Sequence, residues 1–192
     1  MARKKYHKVN LPIIDREVEV LAESKKDLEG RTVKIDLTRD LKGKNFEIIF
    51  RLGEEGDARP HRLHVYKYFL RRMMRKSVDY VEDSFTVNCK DYKLRVKPFL
   101  IARRKISRKV KRGLRNKAKE EIKEYMGDKD FEEILSSLLS NEFQKDLSLV
   151  LKKIYPLTLC EIRDIKVESK GGEGKKEAEK KVKKKIKEES KR

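Results

Sequence analysis

The stretch that decides the fold is residues 85–126, FTVNCKDYKLRVKPFLIARRKISRKVKRGLRNKAKEEIKEYM. In its first half, apolar and polar residues alternate in two runs, Phe85 to Cys89 and Tyr92 to Val96, on either side of a Lys90-Asp91 turn. Alternation with a period of two on both sides of a short turn predicts a β-hairpin. We expect Pro98 to interrupt the second strand, because proline cannot donate to a sheet ladder.

In the second half of this stretch the apolar spacing changes to four residues. The apolar stripe consists of Ile106, Val110, Leu114, Ala118, Ile122 and Met126. A spacing of four puts these side chains on one side of a helix roughly 30 Å long, since an α-helix rises about 1.5 Å per residue. Gly127-Asp128 follows and ends the helix.

Segments before and after this stretch also show periodic apolar residues. Alternation predicts strands at Val33 to Leu37 and at Phe46 to Leu52, a weaker strand around Val18 and Val20, and extended structure from Leu157 to Val167. Leu11-Pro12 belongs at a sheet edge.

Three further segments have helical spacing. They are Tyr66 to Met74, Phe131 to Leu139 and Phe143 to Leu151. Asp130 with Glu133, and Asn141 with Gln144, resemble capping boxes at the start of the last two. Strands on both sides of a helical insert predict an α+β domain with one mostly antiparallel sheet or a barrel-like β body.

The charge distribution divides the chain into three parts. Residues 1–10 hold four cations and no acid, which predicts a basic N-terminal arm that stays mobile alone. Residues 11–169 form a single α+β RNA-binding domain, and residues 170–192 form a flexible Lys/Glu-rich C-terminal tail that begins near Gly171-Gly172.

Composition narrows the function classes. The 52 Lys and Arg against 33 Asp and Glu leave a net charge of +19 in 192 residues, which favours a polyanionic partner, and nucleic acid is the leading one. No apolar run is long enough for a membrane span or a signal peptide, so integral membrane and secreted proteins are excluded. Cys89 and Cys160 are far apart, which favours a reducing cytosol, and no cofactor loop or metal motif occurs. We expect no cofactor and no small-molecule substrate.

The densest basic segment runs from Arg103 to Lys119, with ten cations and no acid. Its helix begins with these cations and finishes with Glu120, Glu121 and Glu124, the reverse of the order that the helix dipole favours. Cations three or four residues apart also repel each other, so an external polyanion would relieve both effects. The predicted RNA-binding residues, from the arm, the Tyr66 to Met74 helix and this segment, are Arg3, Lys4, Lys5, Lys67, Arg71, Arg72, Arg75, Lys76, Arg103, Arg104, Lys105, Arg108, Lys109, Lys111, Arg112, Arg115 and Lys117.

Residues 120–151 have the opposite character, with nine acids against three lysines. We expect this part to face solvent or a basic neighbouring protein rather than RNA. A solubility role for these acids is an equally good interpretation.

Two other function classes stay open. A free-standing nucleic-acid chaperone or chromatin protein would have the same positive charge. An RNA-processing enzyme is a remote alternative, motivated by His61 and His64, whose spacing of three would bring two imidazoles to one side of a helix. No carboxylate or thiol follows them at metal-ligand spacing, so a solvated or phosphate-facing pair is favoured over a metal site.

Five segments in order resemble one family. They are Gly30 to Leu37, the Phe46 to Leu52 strand, the passage from Arg71 to Tyr80, Phe99 to Arg104, and Ile154 to Leu157. Their order and spacing, from about Gly30 to Lys170, resemble the archaeal and eukaryotic small-subunit ribosomal protein family S-three-a-e (S3Ae), also called eukaryotic-type S-one.

The resemblance implies a non-catalytic cytoplasmic protein of the small ribosomal subunit, with a β-rich, barrel-like body. It implies a position on the platform near the messenger exit, with small-subunit ribosomal RNA, neighbouring platform proteins and messenger RNA near the exit as partners. The abundant Lys and Glu suit a thermophilic archaeal source.

Overall fold

The computed structural model describes residues 4–41, 44–53 and 56–170. Within these ranges the chain forms nine strands, four α-helices and one 3-10 turn, Lys25–Leu28. The strands are β1 (Lys5–Leu11), β2 (Arg16–Ala22), β3 (Thr32–Asp36), β4 (Phe46–Leu52), β5 (Ala58–Val65), β6 (Tyr80–Glu82), β7 (Phe85–Asn88), β8 (Tyr92–Ala102) and β9 (Leu157–Lys170). The helices are α1 (Lys67–Met73), α2 (Arg108–Gly127), α3 (Phe131–Ser140) and α4 (Glu142–Lys152).

Seven of the strands form one antiparallel sheet. The order is β3-β4-β5-β9-β8-β6, and β7 pairs with β8 beside β6, so the long strand β8 supports both short ones along one edge. In the described ranges β3 and β6 end the sheet and do not pair with each other. The α+β class and the mostly antiparallel sheet are therefore confirmed, whereas a closed, barrel-like body is not found.

One face of this sheet forms the core. The residues Phe46, Ile48, Phe50 and Leu52 alternate along β4 and are buried. α2 packs on β7, and α4 packs on both α2 and β9. The predicted apolar stripe is confirmed within α2, since Leu114, Ala118, Ile122 and Met126 are all buried. Val110 is half-buried, and Ile106 precedes the helix. Among the described residues, no helix combines the length and apolar character needed to cross a bilayer.

The predicted N-terminal arm is wrong from Lys5 onward. β1 pairs with β2 in a separate two-stranded sheet, and the side chains of Val9 and Leu11 are buried in the common core. These two apolar residues alternate with Lys8 and Asn10, which is a strand pattern. The prediction of an arm considered only the charges of this segment and not this alternation. Residues 1–3 lie outside the described residues.

Pro98 does not interrupt β8. The strand continues to Ala102, with a register irregularity against β9 between Lys97 and Pro98. On its other side Pro98 lies between the residues that pair with β7 and those that pair with β6, so no neighbour requires its missing N–H.

The second predicted capping box is also wrong, although α4 begins where expected. Asn141 has a left-handed backbone with φ of 68°, and its side chain does not cap the helix. Gln144 is buried instead, and its Nε2 donates to the Leu138 carbonyl oxygen at 2.9 Å. The first capping box, Asp130 with Glu133, is confirmed.

The C-terminal tail predicted for residues 170–192 begins within β9, because Lys170 pairs with Tyr92. Its remaining residues, 171–192, lie outside the described part of the chain.

Candidate nucleic-acid interface

The basic residues between β8 and α2 lie on an exposed connection. Arg103, Arg104 and Lys105 follow the last residue of β8 and precede the helix, so they are not part of α2 as the sequence predicted. The helix begins at Arg108, because Ser107 is its N-cap and accepts a hydrogen bond from the Val110 amide at 3.4 Å. Three of the ten predicted helical cations therefore extend from a loop.

Asp79 fixes this connection at both ends. Its carbonyl oxygen accepts a hydrogen bond from the Ala102 amide at 2.9 Å, and its carboxylate accepts one from the Ile106 amide at 2.9 Å. The same carboxylate lies 3.1 Å from Lys111 Nζ. The bonds from Ile106 and Lys111 lower the pKa of Asp79. An ionised Asp79 therefore positions the residues on both sides of the loop.

The first turns of α2 carry exposed cations. Arg108, Lys109 and Arg112 are exposed, and the first turn contains no acid. Together with the three cations of the connection they form what we call the α2 surface. Its members are Arg103, Arg104, Lys105, Arg108, Lys109 and Arg112.

Three predicted contact residues of α2 have partners within the protein. Lys111 pairs with Asp79, and Arg115 Nε donates to the Glu82 carbonyl oxygen at 3.2 Å. Lys117 Nζ lies 2.8 Å from Glu121, which raises the lysine pKa. These three side chains have protein partners that an RNA phosphate would have to share or replace.

The basic residues of α1 and of the turn after it precede Asp79 in the chain. Lys67, Arg71 and Arg72 are exposed on α1, opposite the buried Phe69 and Leu70, as predicted. Arg75 and Lys76 follow the helix, just before Asp79. Because Asp79 bonds to Ala102 and Ile106, Arg75 and Lys76, four and three residues before it, lie close to the connection. Lys67, Arg71 and Arg72 lie farther from it along the chain.

The predicted arm residues are not on this part of the molecule. Lys4 precedes β1, and Lys5 is its first residue, at the open end of the hairpin. That hairpin belongs to the small sheet rather than the seven-stranded one. Arg3 lies outside the described residues.

The two histidines lie on β5, so the helical spacing inferred from sequence does not apply. His61 is at a bulge against β4, and His64 pairs with Glu47, whose Oε2 lies 3.2 Å from His64 Nδ1. Burial lowers the pKa of His64 despite the charge of Glu47. In the part of the chain that the structure describes, no three His, Cys, Asp or Glu side chains group as metal ligands would.

Sequence reasoning missed a second basic region on the outer face of the sheet, away from the core. It includes Arg62 of β5, Arg95 and Lys97 of β8, and Lys166 of β9. A signal was present in β8, where every polar position from Lys93 to Lys97 is a cation. The contributions of β5 and β9 become visible only once the strand pairing is known.

Comparison with known families gives one result. The family model described as the Ribosomal S3Ae family matches residues 1–171 of the 192. No curated protein matches the chain. The family match confirms the resemblance drawn from the ordered segments, and it also includes the N-terminal hairpin.

Proposed function

The chain belongs to the Ribosomal S3Ae family, and we propose that it binds small-subunit ribosomal RNA through the α2 surface and the exposed cations of α1 and of the turn after it. The family makes the chain a ribosomal protein of the small subunit, with a part in translation. Ribosomal protein families are generally non-enzymatic, so we propose no catalytic role. Within the subunit, we place the protein on the platform near the messenger exit.

The observation that carries this proposal is the charge order of α2. The amino end of a helix carries a partial positive charge and is stabilised by acids. α2 has none in its first turn, where Arg108 and Lys109 lie next to Arg103 and Arg104 of the connection. Its acids, Glu120, Glu121 and Glu124, come later. Asp79 supplies one negative charge near this end, and RNA phosphates supply the rest.

The acidic side of the molecule supports the same orientation. Glu132 and Glu133 are exposed in the first turn of α3, and Glu142 and Asp146 are exposed on α4. Phosphate repulsion disfavours these helices at an RNA surface. We propose that they face solvent or basic platform proteins, while the α2 surface meets RNA.

A charge-neutralising variant of the α2 surface, which we call the α2 variant, tests the proposal. Changing Arg103, Arg104, Arg108 and Arg112 to Gln removes four cations of this surface, and the slope of log K against log salt should flatten by about 0.7 to 0.9 for each phosphate that the protein no longer binds. The matched control changes Lys8, Lys25, Lys26 and Arg39 to Gln, which removes the same charge from exposed sites elsewhere. Filter binding to a small-subunit ribosomal RNA transcript at several salt concentrations measures the slope for each variant. Equal slopes for the two variants would contradict the proposal.

Sedimentation separates this function from a free nucleic-acid chaperone. A subunit component follows the small subunit through a sucrose gradient in moderate salt. A chaperone or chromatin protein stays near the top and binds duplex DNA about as well as ribosomal RNA.

A further inference from the structure

Three cations lie directly opposite one another on three adjacent strands. In the strand register, Lys166 of β9 pairs with Arg62 of β5 on one side and with Arg95 of β8 on the other. Side chains directly opposite each other in a sheet project to the same face, with Cβ atoms about 5 Å apart, and like charges there destabilise the pairing. We call these three residues the cationic row.

Nearby acids neutralise only part of the positive charge of the row. Asp164, whose side chain is 7% exposed, accepts from Arg62 Nε at 2.7 Å and also binds Lys97 Nζ at 2.8 Å, so one carboxylate serves two cations. Arg95 pairs with Glu168. Lys166, at the centre of the row, is exposed and has no ion pair among the described residues.

Asp164 also holds Arg62, at one end of the row, in position. Burial raises the pKa of Asp164, but the hydrogen bonds from Arg62 and Lys97 outweigh this effect and lower it, so the carboxylate is ionised at neutral pH. Arg62 donates to it through Nε and Nη2, which fixes the plane of the guanidinium. Arg62 is therefore a fixed positive group at one end of the row.

The row borders two open clefts on the outer face. One, of about 540 Å³, is lined by the whole row together with His61, Lys97, Asp164, Val167 and Glu168. The other, of about 700 Å³, adjoins it at His61 and extends to Arg51 and Arg59. Burial lowers the pKa of His61, and the charges of Lys166, Arg51 and Arg62 lower it further, so His61 lies in the positive field of these cations. The second cleft is also lined by the acids Glu29, Asp57 and Glu168.

This face points away from the α2 surface. Phe85 and Val87 of β7 are buried on the side where α2 packs. Thr86, between them, projects to the other side and is directly opposite Arg95. The sheet therefore separates the cationic row from α2, and a straight RNA segment cannot contact both.

We propose that the cationic row is a second RNA-binding surface, which contacts the phosphate backbone of a different RNA segment from the one at the α2 surface. The row spans two strand spacings, about 10 Å, and a nucleic-acid duplex carries roughly one charge per 1.7 Å of its axis, so several phosphates face the row at once. The row consists of two arginines and one lysine and contains no aromatic ring on which a base could stack. Recognition is therefore of backbone shape rather than of unstacked bases. The proposal rests on the proposed function in that its ligand is ribosomal RNA.

Hydroxyl-radical footprinting of a small-subunit ribosomal RNA transcript with the full-length protein tests this. The row variant is Arg95→Gln with Lys166→Gln, which leaves Arg62 in place to pair with buried Asp164. The control is Lys25→Gln with Lys26→Gln, two exposed lysines of the 3-10 turn. The row variant should lose protection at nucleotides distinct from those that the α2 variant leaves unprotected, and its salt slope should flatten by about 1.4 to 1.8.

Each other outcome has a defined meaning. Losing protection at the same nucleotides as the α2 variant would overturn the two-segment model, and a footprint and slope equal to those of the control would overturn the row as an RNA site. If the wild-type protein and the control variant both give no footprint, the proposed function fails as well. That outcome differs from a failure of the row alone, in which the wild type and the control both protect the RNA.

The imidazole of His61 gives an independent readout. RNA phosphates at the row should raise the pKa of His61, measured by NMR titration of its ring protons with and without the transcript. An unchanged His61 pKa in an RNA-saturated sample would overturn the proposal. A rise caused by polyglutamate but not by RNA would assign the face to an acidic protein segment instead.

Discussion

Lys44 Nζ lies 3.4 Å from Oε1 of Glu161, whose side chain is 6% exposed. Gln144, also buried, donates to Oε2 of the same carboxylate at 3.4 Å. Glu161 is thus the meeting point of the β3–β4 loop, α4 and β9. Lys44 additionally donates to Asn141 Oδ1, which connects the loop to the α3–α4 junction. The contact joins the sheet to the helical insert through one partly neutralised charge.

The first prediction concerns the pH dependence of stability at Glu161. Burial raises the pKa of Glu161 above its ordinary 4.5, against the opposing effects of Lys44 and Gln144. The folded state therefore holds the proton more tightly than the unfolded state, so the contribution of Glu161 to stability falls as pH rises from about 4.5 through the folded-state pKa. Glu161→Gln should remove this fall. Urea midpoints between pH 4 and 7 measure it.

A matched variant isolates the effect of burial. Glu132→Gln removes an exposed acid of α3 and should leave the pH profile parallel to that of the wild type. A Glu161→Gln profile that also runs parallel to the wild type would contradict the raised pKa.

The sequence could predict α2, β3, β4 and the β7–β8 hairpin because each shows its own period. β5 could not be found this way. Its buried positions are Ala58 and Pro60, then Leu63 and Val65, so the bulge at His61 shifts the alternation by one residue. Strict alternation therefore holds over only a few residues on each side of the bulge, which is too short to predict a strand. A proline within the segment also argues against a strand.

The candidate RNA-binding residues also fall into two groups, those that the sequence could predict and those that it could not. Arg104, Arg108 and Arg112 are close in sequence, so local charge predicts their common surface even though the helix begins later than expected. Arg62, Arg95 and Lys166 come from three strands that are far apart in the chain. Only the antiparallel register places them in one row, and register depends on long-range pairing rather than on local pattern.

The second prediction concerns repulsion within the cationic row. Lys166→Gln removes the central charge between Arg62 and Arg95, and should raise the free energy of unfolding by about 0.5 kcal/mol at low salt. The gain should shrink toward zero in 1 M NaCl, where exposed charges are screened. Denaturant unfolding at both salt concentrations measures it. Lys25→Gln is the control, and a destabilised Lys166→Gln protein would show that this lysine stabilises the sheet.

The third prediction separates the packed side of α2 from its exposed side. Ile122 is fully buried, so Ile122→Ala should destabilise the protein by about 2 to 5 kcal/mol. For a chain of this length each kcal/mol lowers Tm by about 2 to 4 °C. At a temperature where the variant is folded, its RNA salt slope should equal that of the wild type. A changed slope would mean that the stripe itself takes part in RNA binding.

The last prediction concerns Asp79 as the residue that positions the basic connection. Asp79→Ala removes the acceptor for the Ile106 amide and the partner of Lys111, so Arg103 to Lys105 lose a fixed end. RNA affinity should fall roughly fivefold, the effect of about one missing hydrogen bond. Faster hydrogen exchange at the Ile106 amide should accompany the weaker binding.

Asp79→Asn is the matched variant, because its amide oxygen can still accept from Ile106 while the charge that pairs with Lys111 is gone. Asn should therefore retain most of the exchange protection and most of the affinity. If Ala and Asn weaken binding equally while Ile106 stays protected in both, then the Lys111 ion pair, rather than the bond to Ile106, maintains the α2 surface.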